Sequence, residues 1–495
     1  MLRPKPSIPS IPFVLFGPVV LALACTACST QTQTVPEELR AQDSRIFTPP
    51  ALGTTFSAMT GLPTDAIDMT SSSRWAGILK GAAYMVEVPA NWNGKLVMFA
   101  HGYAGTGAAL SVAPPAIRRH LLSTGYAWAA SSYSTNYYDV RAGLEDTNAL
   151  ALAFNSIAAQ NGRPLAAPIR TYITGRSMGG HIAAAAVERE TLATAVNKVR
   201  YHAALPMCGV MADAELFNRF AGMQVAAMAL AGVPDQSFGQ WAEVQDKVTS
   251  SLFTSFPTAA LPTLPIVTTA KGAQFASVVK NLTGGERPMF AQGFEYGGSY
   301  RFAYGGFGGD GTINGILSKS TLDTQALRYM IDGEPEASNA LNAAAQKIVA
   351  QPDANRIRRD GLRWIPAVNG AFNVPVLSIH TLGDLYVPFA MQQSYVMRAT
   401  AQGSRNLLVQ RAMRGAAHCD FTVAEQVESF EVLAKWEQGG SKPPGDDVVV
   451  ASTVAAPSYG CAFTNNSIGP DDVKSTVDLR VKIAATTPAC PSVSR

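Results

Sequence analysis

The segment Thr171-Tyr172-Ile173-Thr174-Gly175-Arg176-Ser177-Met178-Gly179-Gly180-His181 constrains this chain more than any other. A β-branched and aromatic run passes into Gly-x-Ser-x-Gly, and a small-residue helical pattern, Ile182 to Val187, follows. Strand, tight turn and helix in that order reverse the chain at one serine. The turn strains the serine backbone and pushes its hydroxyl above the sheet. Gly175 and Gly179 are required because a Cβ at either would collide with strand or helix. The helix that starts behind Ser177 turns backbone N–H groups toward any negative charge developing there. In a chain with 42 glycines the bare motif is a weak signal; the flanking strand and helix supply the specificity.

The rest of the chain reads as alternating strand and helix around this turn. Strands are predicted at 74–80, 83–89 and 95–100, and Leu96 to Ala100 is continuously apolar, as in a central strand covered on both faces. That strand runs into His101-Gly102-Tyr103-Ala104-Gly105-Thr106-Gly107. Further strands fall at 126–133, 202–207, 374–380 and 406–411, with helices at 144–160 and 423–436. The pattern predicts an open, mostly parallel, doubly wound sheet with right-handed crossovers.

Between 210 and 370 no apolar strand continues the sheet. Helical patterns at 213–232 and 321–350 flank a Gly/aromatic stretch with Phe294, Tyr296, Tyr300, Phe302, Tyr304 and Phe307. Residues 211–370 therefore read as a large, mainly helical cap inserted between 71–210 and 371–438 of the core. The aromatic stretch either lines a pocket or forms hairpins packed on themselves. Residues 29–70 read as a linker and entry segment. In 439–495, β-patterned runs at 448–454 and 476–483 predict a small β-rich tail.

Residues 1–28 read as an export signal: Arg3 and Lys5, then an apolar run from Phe13 to Leu23, then small residues around Cys25 and Cys28. Lipoprotein cleavage before one of these cysteines and simple secretion both remain open. The expected location is outside the cytoplasm of a bacterial cell: periplasmic, lipid-anchored at the outer membrane, or extracellular. Beyond the signal lie Cys208, Cys419, Cys461 and Cys490, and four cysteines in an exported chain predict two disulfides. Cys461 and Cys490 lie together in the tail, which leaves Cys208 and Cys419 to pair across the site end of the sheet. A formal charge of +3 without a basic run gives no reason to expect nucleic acid.

A serine hydroxyl is a poor nucleophile at neutral pH. It needs a base, and the base needs an orienting carboxylate. Of six histidines, His418 fits best, because Gly415-Ala416-Ala417-His418-Cys419-Asp420-Phe421 lies between a strand and the last core helix. His101 is the rival and reads better as a structural side chain. Asp384, in Thr381-Leu382-Gly383-Asp384-Leu385-Tyr386-Val387-Pro388, follows an apolar strand and is the candidate acid; Asp420 is the alternative. Backbone N–H groups of Tyr103 and Met178 are the candidate oxyanion donors. No His/Cys/carboxylate cluster has ligand spacing, so neither metal nor organic cofactor is expected.

His101-Gly102-Tyr103, Gly175-Arg176-Ser177-Met178-Gly179-Gly180 and Gly383-Asp384 leading to His418 resemble the α/β-hydrolase superfamily in motif and order. The likeness covers roughly 75–210 and 370–437. Ser-Met-Gly-Gly with Tyr in the oxyanion turn looks like secreted polyester hydrolases and cutinase-type enzymes, which lack a large cap. The cap and His418-Cys419 are similar to the tannase and feruloyl-esterase family, in which a cysteine beside the nucleophile bonds one beside the base. Here Arg176 precedes Ser177 instead. Prolyl-oligopeptidase relatives share the core. The resemblance implies an α/β-hydrolase fold and a serine hydrolase that cleaves small or polymeric carboxylic esters through an acyl-enzyme. A peptidase or amidase with the same residues is the alternative, and a non-catalytic surface-binding protein is the third reading.

Overall fold

Strand β3 (Lys95–Ala100) feeds two cores at once. Leu96, Met98 and Ala100 point into one apolar cluster, Val97 and Phe99 into the other, and all are nearly inaccessible. A strand apolar on both faces is stable only with neighbours on each edge and helices on each side. Its edges are filled by parallel β4 (Ala127–Ser131) and β5 (Arg170–Arg176). Helices Val140–Gln160 and Met178–Ala185 contribute to the first cluster, and helices Arg118–Ser123 and Val423–Glu437 to the second.

The computed structural model describes residues 37, 39–234, 237–257, 264–296, 298–487 and 490. The expected signal at 1–28, with Cys25 and Cys28, lies outside them. β1 (Ser73–Leu79) and β2 (Ala82–Val88) form an antiparallel pair, and β2 joins β4 antiparallel. β6 (Ala203–Met207) follows the elbow helix. The block after it carries β7 (Phe253–Ser255) and β8 (Val267–Thr268), a small antiparallel pair of their own. The main sheet resumes with β9 (Val376–Thr381) and β10 (Leu408–Met413), in the order β1-β2-β4-β3-β5-β6-β9-β10 and parallel from β4 onward.

Residues 211–370 hold helices Glu215–Leu230, Trp241–Leu252, Ala270–Leu282, Phe290–Glu295, Ser299–Gly305 and Pro335–Ala344. Two expectations are corrected here. The 321–350 pattern yields helix only from Pro335, where proline suits a helix start. Upstream, the backbone is bonded to other partners: Thr324 N–H donates to the Ile348 carbonyl, and the Asn342 amide brackets Tyr329 N and O at 3.0 and 2.6 Å. The aromatic stretch forms two short helices, not hairpins.

The tail is also helical where strands were expected, with Ala451–Val454 and Lys474–Ala484. In the longer helix Thr476, Leu479, Arg480 and Ile483 are buried, a spacing of i, i+3, i+4, i+7, so helical periodicity outweighs β-branched composition. The described part of the entry segment is bound to the core: Arg40 pairs with Asp139 at 2.8 Å, and the Gln42 amide donates to the Asn136 carbonyl.

Candidate active site

Ser177 lies between β5 and helix Met178–Ala185 at φ 58°, ψ −121°, a left-handed conformation costly for a residue with a Cβ. Its N–H donates to the Met207 carbonyl of β6 at 3.0 Å, and its carbonyl accepts from His181 N–H at 3.0 Å. The glycines leave no freedom here. A Cβ on Gly175 would lie 2.1 Å from the Gly179 carbonyl oxygen, and one on Gly179 would lie 2.0 Å from that of Ala100. Gly102 is crowded too, though less severely: its Cβ would meet the Ser177 side chain at 3.2 Å. The His101-Gly102-Tyr103 turn thus lies directly against the serine.

The sequence-distant candidates meet at this serine. His418 Nε2 is 2.8 Å from Ser177 Oγ, and its Nδ1 is 2.6 Å from Asp384 Oδ2. A carboxylate oxygen can only accept, so Nδ1 carries the ring proton and Nε2 accepts from the hydroxyl. Asp384 is wholly buried, and its Oδ1 accepts the N–H groups of Tyr386 and Val387 at 3.0 and 2.9 Å. Met178 opens the elbow helix, so its N–H is among the first-turn donors without an intrahelical acceptor.

The rivals are accounted for. His101 stacks on Tyr133 with centroids 4.0 Å apart, and its Nδ1 and Nε2 lie 2.6 and 3.1 Å from the carbonyl oxygens of Gly102 and Ser132, one of which takes the ring N–H. Asp420 is engaged elsewhere, accepting from Ala416 N–H and lying near Arg480, while Asp384 takes the His418 ring. His380 lies beneath the acid, 3.9 Å from Asp384 Oδ2, but its Nε2 reaches the Val387 carbonyl at 2.8 Å. Burial lowers its pKa to about 4, which keeps it neutral beside the carboxylate.

Disulfides Cys208–Cys419 and Cys461–Cys490 are both present. The first ties the end of β6 to the residue after His418. Cys208, Cys419 and His418 group as metal ligands would, but the two sulfurs are bonded to each other and no thiolate remains.

Supporting residues were missed in the sequence. Arg176, beside the serine, donates to the Cys419 carbonyl at 3.2 Å. Arg480, in the tail, donates to the Asp420 carbonyl at 2.6 Å and pairs with Glu425 at 2.9 Å. Buried Arg287, from the inserted block, donates to the Leu382 carbonyl at 2.8 Å. Burial brings its pKa down to about 10, opposed by the charge of Asp384, so it stays cationic near the acid. An Arg at the x position beside Ser177 was a readable signal; Arg287 and Arg480 carried none.

Ser177 opens into a cavity of about 910 Å³. Tyr103, Tyr137 and Tyr138 line its core side, and Phe220, Phe302 and Phe307 its far side. Of the aromatic stretch, Phe302, half exposed, and Phe307 reach the cavity, while Tyr300 and Phe294 stack on each other with centroids 4.4 Å apart.

The strand order, the strained serine after β5, and the acid and imidazole after β9 and β10 together decide the architecture. The chain has the α/β-hydrolase fold. No protein-family model matches it. A stretch of 129 residues, 26% of this chain, is 22% identical to an o-phthalyl amidase of Xanthobacter agilis and spans 24% of that protein. Among solved structures, feruloyl esterase B from Aspergillus oryzae is 14% identical with a TM-score of 0.42, covering 78% of this chain and 86% of the esterase. An acylaminoacyl peptidase of Pyrococcus horikoshii is 12% identical with a TM-score of 0.36, covering 76% of this chain and 43% of the peptidase.

Proposed function

We propose that this chain is an exported serine hydrolase that cleaves carboxylic esters through an acyl-enzyme. The observation that carries the reading is the unbroken line of hydrogen bonds from Ser177 Oγ through His418 to buried Asp384 at the floor of a large cavity. Ser177 Oγ attacks the ester carbonyl carbon while His418 Nε2 takes its proton. The carbonyl oxygen becomes an anion, held by the N–H groups of Tyr103 and Met178. As the C–O bond to the alcohol breaks, the proton returns from Nε2 to the leaving oxygen. Water then repeats the attack, giving its proton to Nε2 and releasing the acid and Ser177. Asp384 fixes the imidazole tautomer and stabilises the imidazolium. None of these steps calls on a metal or an organic cofactor.

In this reading residues 211–370 act as a cap that shapes the pocket. The two disulfides fit an oxidising compartment. Among the described residues no helix is long and apolar enough to cross a membrane. Ser177→Ala should abolish 4-nitrophenyl butyrate hydrolysis with the melting temperature nearly unchanged; retained turnover would refute the mechanism. The local similarity to an amidase supports a second reading, amide cleavage by the same residues. Comparing an ester with its matched anilide separates the two.

A further inference from the structure

Four arginines carry a buried Nε without a hydrogen-bond partner: Arg170, Arg219, Arg301 and Arg480. Three of them still have a carboxylate beside the guanidinium, namely Glu437 for Arg170, Glu215 for Arg219 and Glu425 for Arg480. Arg301 has none among the described residues. It is 8% exposed, its Nε and Nη1 find no partner, and Nη2 donates to the Glu295 carbonyl at 3.1 Å. Removing a cation from water without a counter-charge is among the costliest arrangements a fold can hold. A buried group left unsatisfied in this way needs an explanation, and a ligand that arrives from outside is one.

The place of Arg301 says what that partner is. It lines the cavity that holds Ser177. The next residue, Phe302, lies 6.0 Å between centroids from Tyr386, and Tyr386 lies 5.3 Å from the His418 ring. A second cation, Arg45, lines the same cavity and lies over the Tyr137 ring at 3.8 Å. The one lining acid, Asp310, is exposed and accepts from Thr312 N–H and Oγ1. The cavity is therefore aromatic, net positive and short of one anion.

We propose that Arg301 binds a carboxylate carried by the substrate, so that the preferred substrates are half-esters of dicarboxylic acids. This rests on the esterase reading above. The free carboxylate pairs with the Arg301 guanidinium while the esterified carbonyl lies over Ser177. Such a charge-assisted bond gives selectivity that an apolar pocket cannot.

The test uses the whole chain and 4-nitrophenyl half-esters of succinate, glutarate and adipate, each beside an uncharged ester of equal chain length. At least one half-ester should exceed its neutral counterpart in kcat/KM by about tenfold, mostly through KM. In Arg301→Met that ratio should fall toward one, and Arg301→Lys should recover part of it. No preference in the native chain, or a preference that survives Arg301→Met, overturns the proposal. A second readout is independent of turnover. In Ser177→Ala, glutarate monomethyl ester should raise the melting temperature while dimethyl glutarate should not, and adding Arg301→Met should erase the difference. That shift without any ester hydrolysis by the native chain would sink the esterase reading and keep the anion site. Hydrolysis of neutral esters without the shift would do the reverse.

Discussion

The two walls of the cavity are built in different ways. On the core side, around Ser177, main chain presses on main chain: Gly175 and Gly179 have no room for a Cβ, one on Gly102 would crowd the serine, and Ser177 is held in a strained conformation by bonds to β6 and its own helix. On the far side, residues of the inserted block meet the cavity with side chains, among them Phe220, Phe302 and Phe307. A wall set by backbone contacts tolerates almost no change. A wall of aromatic side chains can be recut without moving the sheet. In this account the first wall decides which reaction occurs and the second decides on what.

The largest expected effect belongs to the core side. Asp384→Asn keeps the shape but reverses the hydrogen-bond demand on His418 Nδ1. Activity should drop by roughly four orders of magnitude in kcat with little change in melting temperature. A loss below about tenfold, read by steady-state kinetics, would break the comparison at its base.

The disulfides sharpen it next. Cys208–Cys419 closes across 211 residues and Cys461–Cys490 across 29, and loop closure alone gives each a stabilising effect of about 3–5 kcal/mol. Only the first adjoins His418. Replacing Cys208 and Cys419 by Ser should lower both melting temperature and kcat, the latter by about tenfold or more. Replacing Cys461 and Cys490 should move chiefly the melting temperature. Equal losses of kcat would show that the tail bears on the imidazole as directly as β6 does.

On the far side, Phe302→Ala should raise KM several-fold and change kcat by less than about threefold, because the side chain lines the cavity beside Tyr386 and is no part of the hydrogen-bond line from Ser177 to Asp384. A collapse of kcat would erase the distinction between the walls.

How legible this was in the sequence follows the same division. Ser177, Asp384 and His418 were readable because each is bound to a local pattern: a glycine-framed turn or the loop after an apolar strand. Their supports were not. Arg287 reaches the acid loop from a helical block whose docking no spacing encodes, and Arg480 reaches the imidazole loop from the tail. The tail itself was misread because Val477, Val481 and Ile483 have β-branched side chains, while the buried set 476, 479, 480, 483 follows the helix period. The irregular stretch before Pro335 was misread for the opposite reason, since its hydrogen bonds go to distant partners such as Ile348.

The smallest effect concerns where the block rejoins the core. Glu188, buried after the elbow helix, accepts the N–H groups of Gly370 and Ala371 at 2.8 Å each. Burial raises its pKa to about 7, above the ordinary glutamate range. The folded state therefore holds this proton more tightly than the unfolded chain. The stability it contributes is complete below the unfolded pKa and is lost as pH rises through about 7. Glu188→Gln should flatten the decline of melting temperature between about pH 5 and 7.5 by a few degrees, with the Ser177-dependent rate unaffected. An unchanged slope would remove Glu188 as its source.

The central claim is that Ser177 alone among the serines is made nucleophilic by its neighbours. A fluorophosphonate probe followed by peptide mass spectrometry tests it most directly. The account predicts one adduct per chain, on Ser177, that disappears in His418→Ala. An unlabelled Ser177 in folded protein, or label on a different serine, would contradict it.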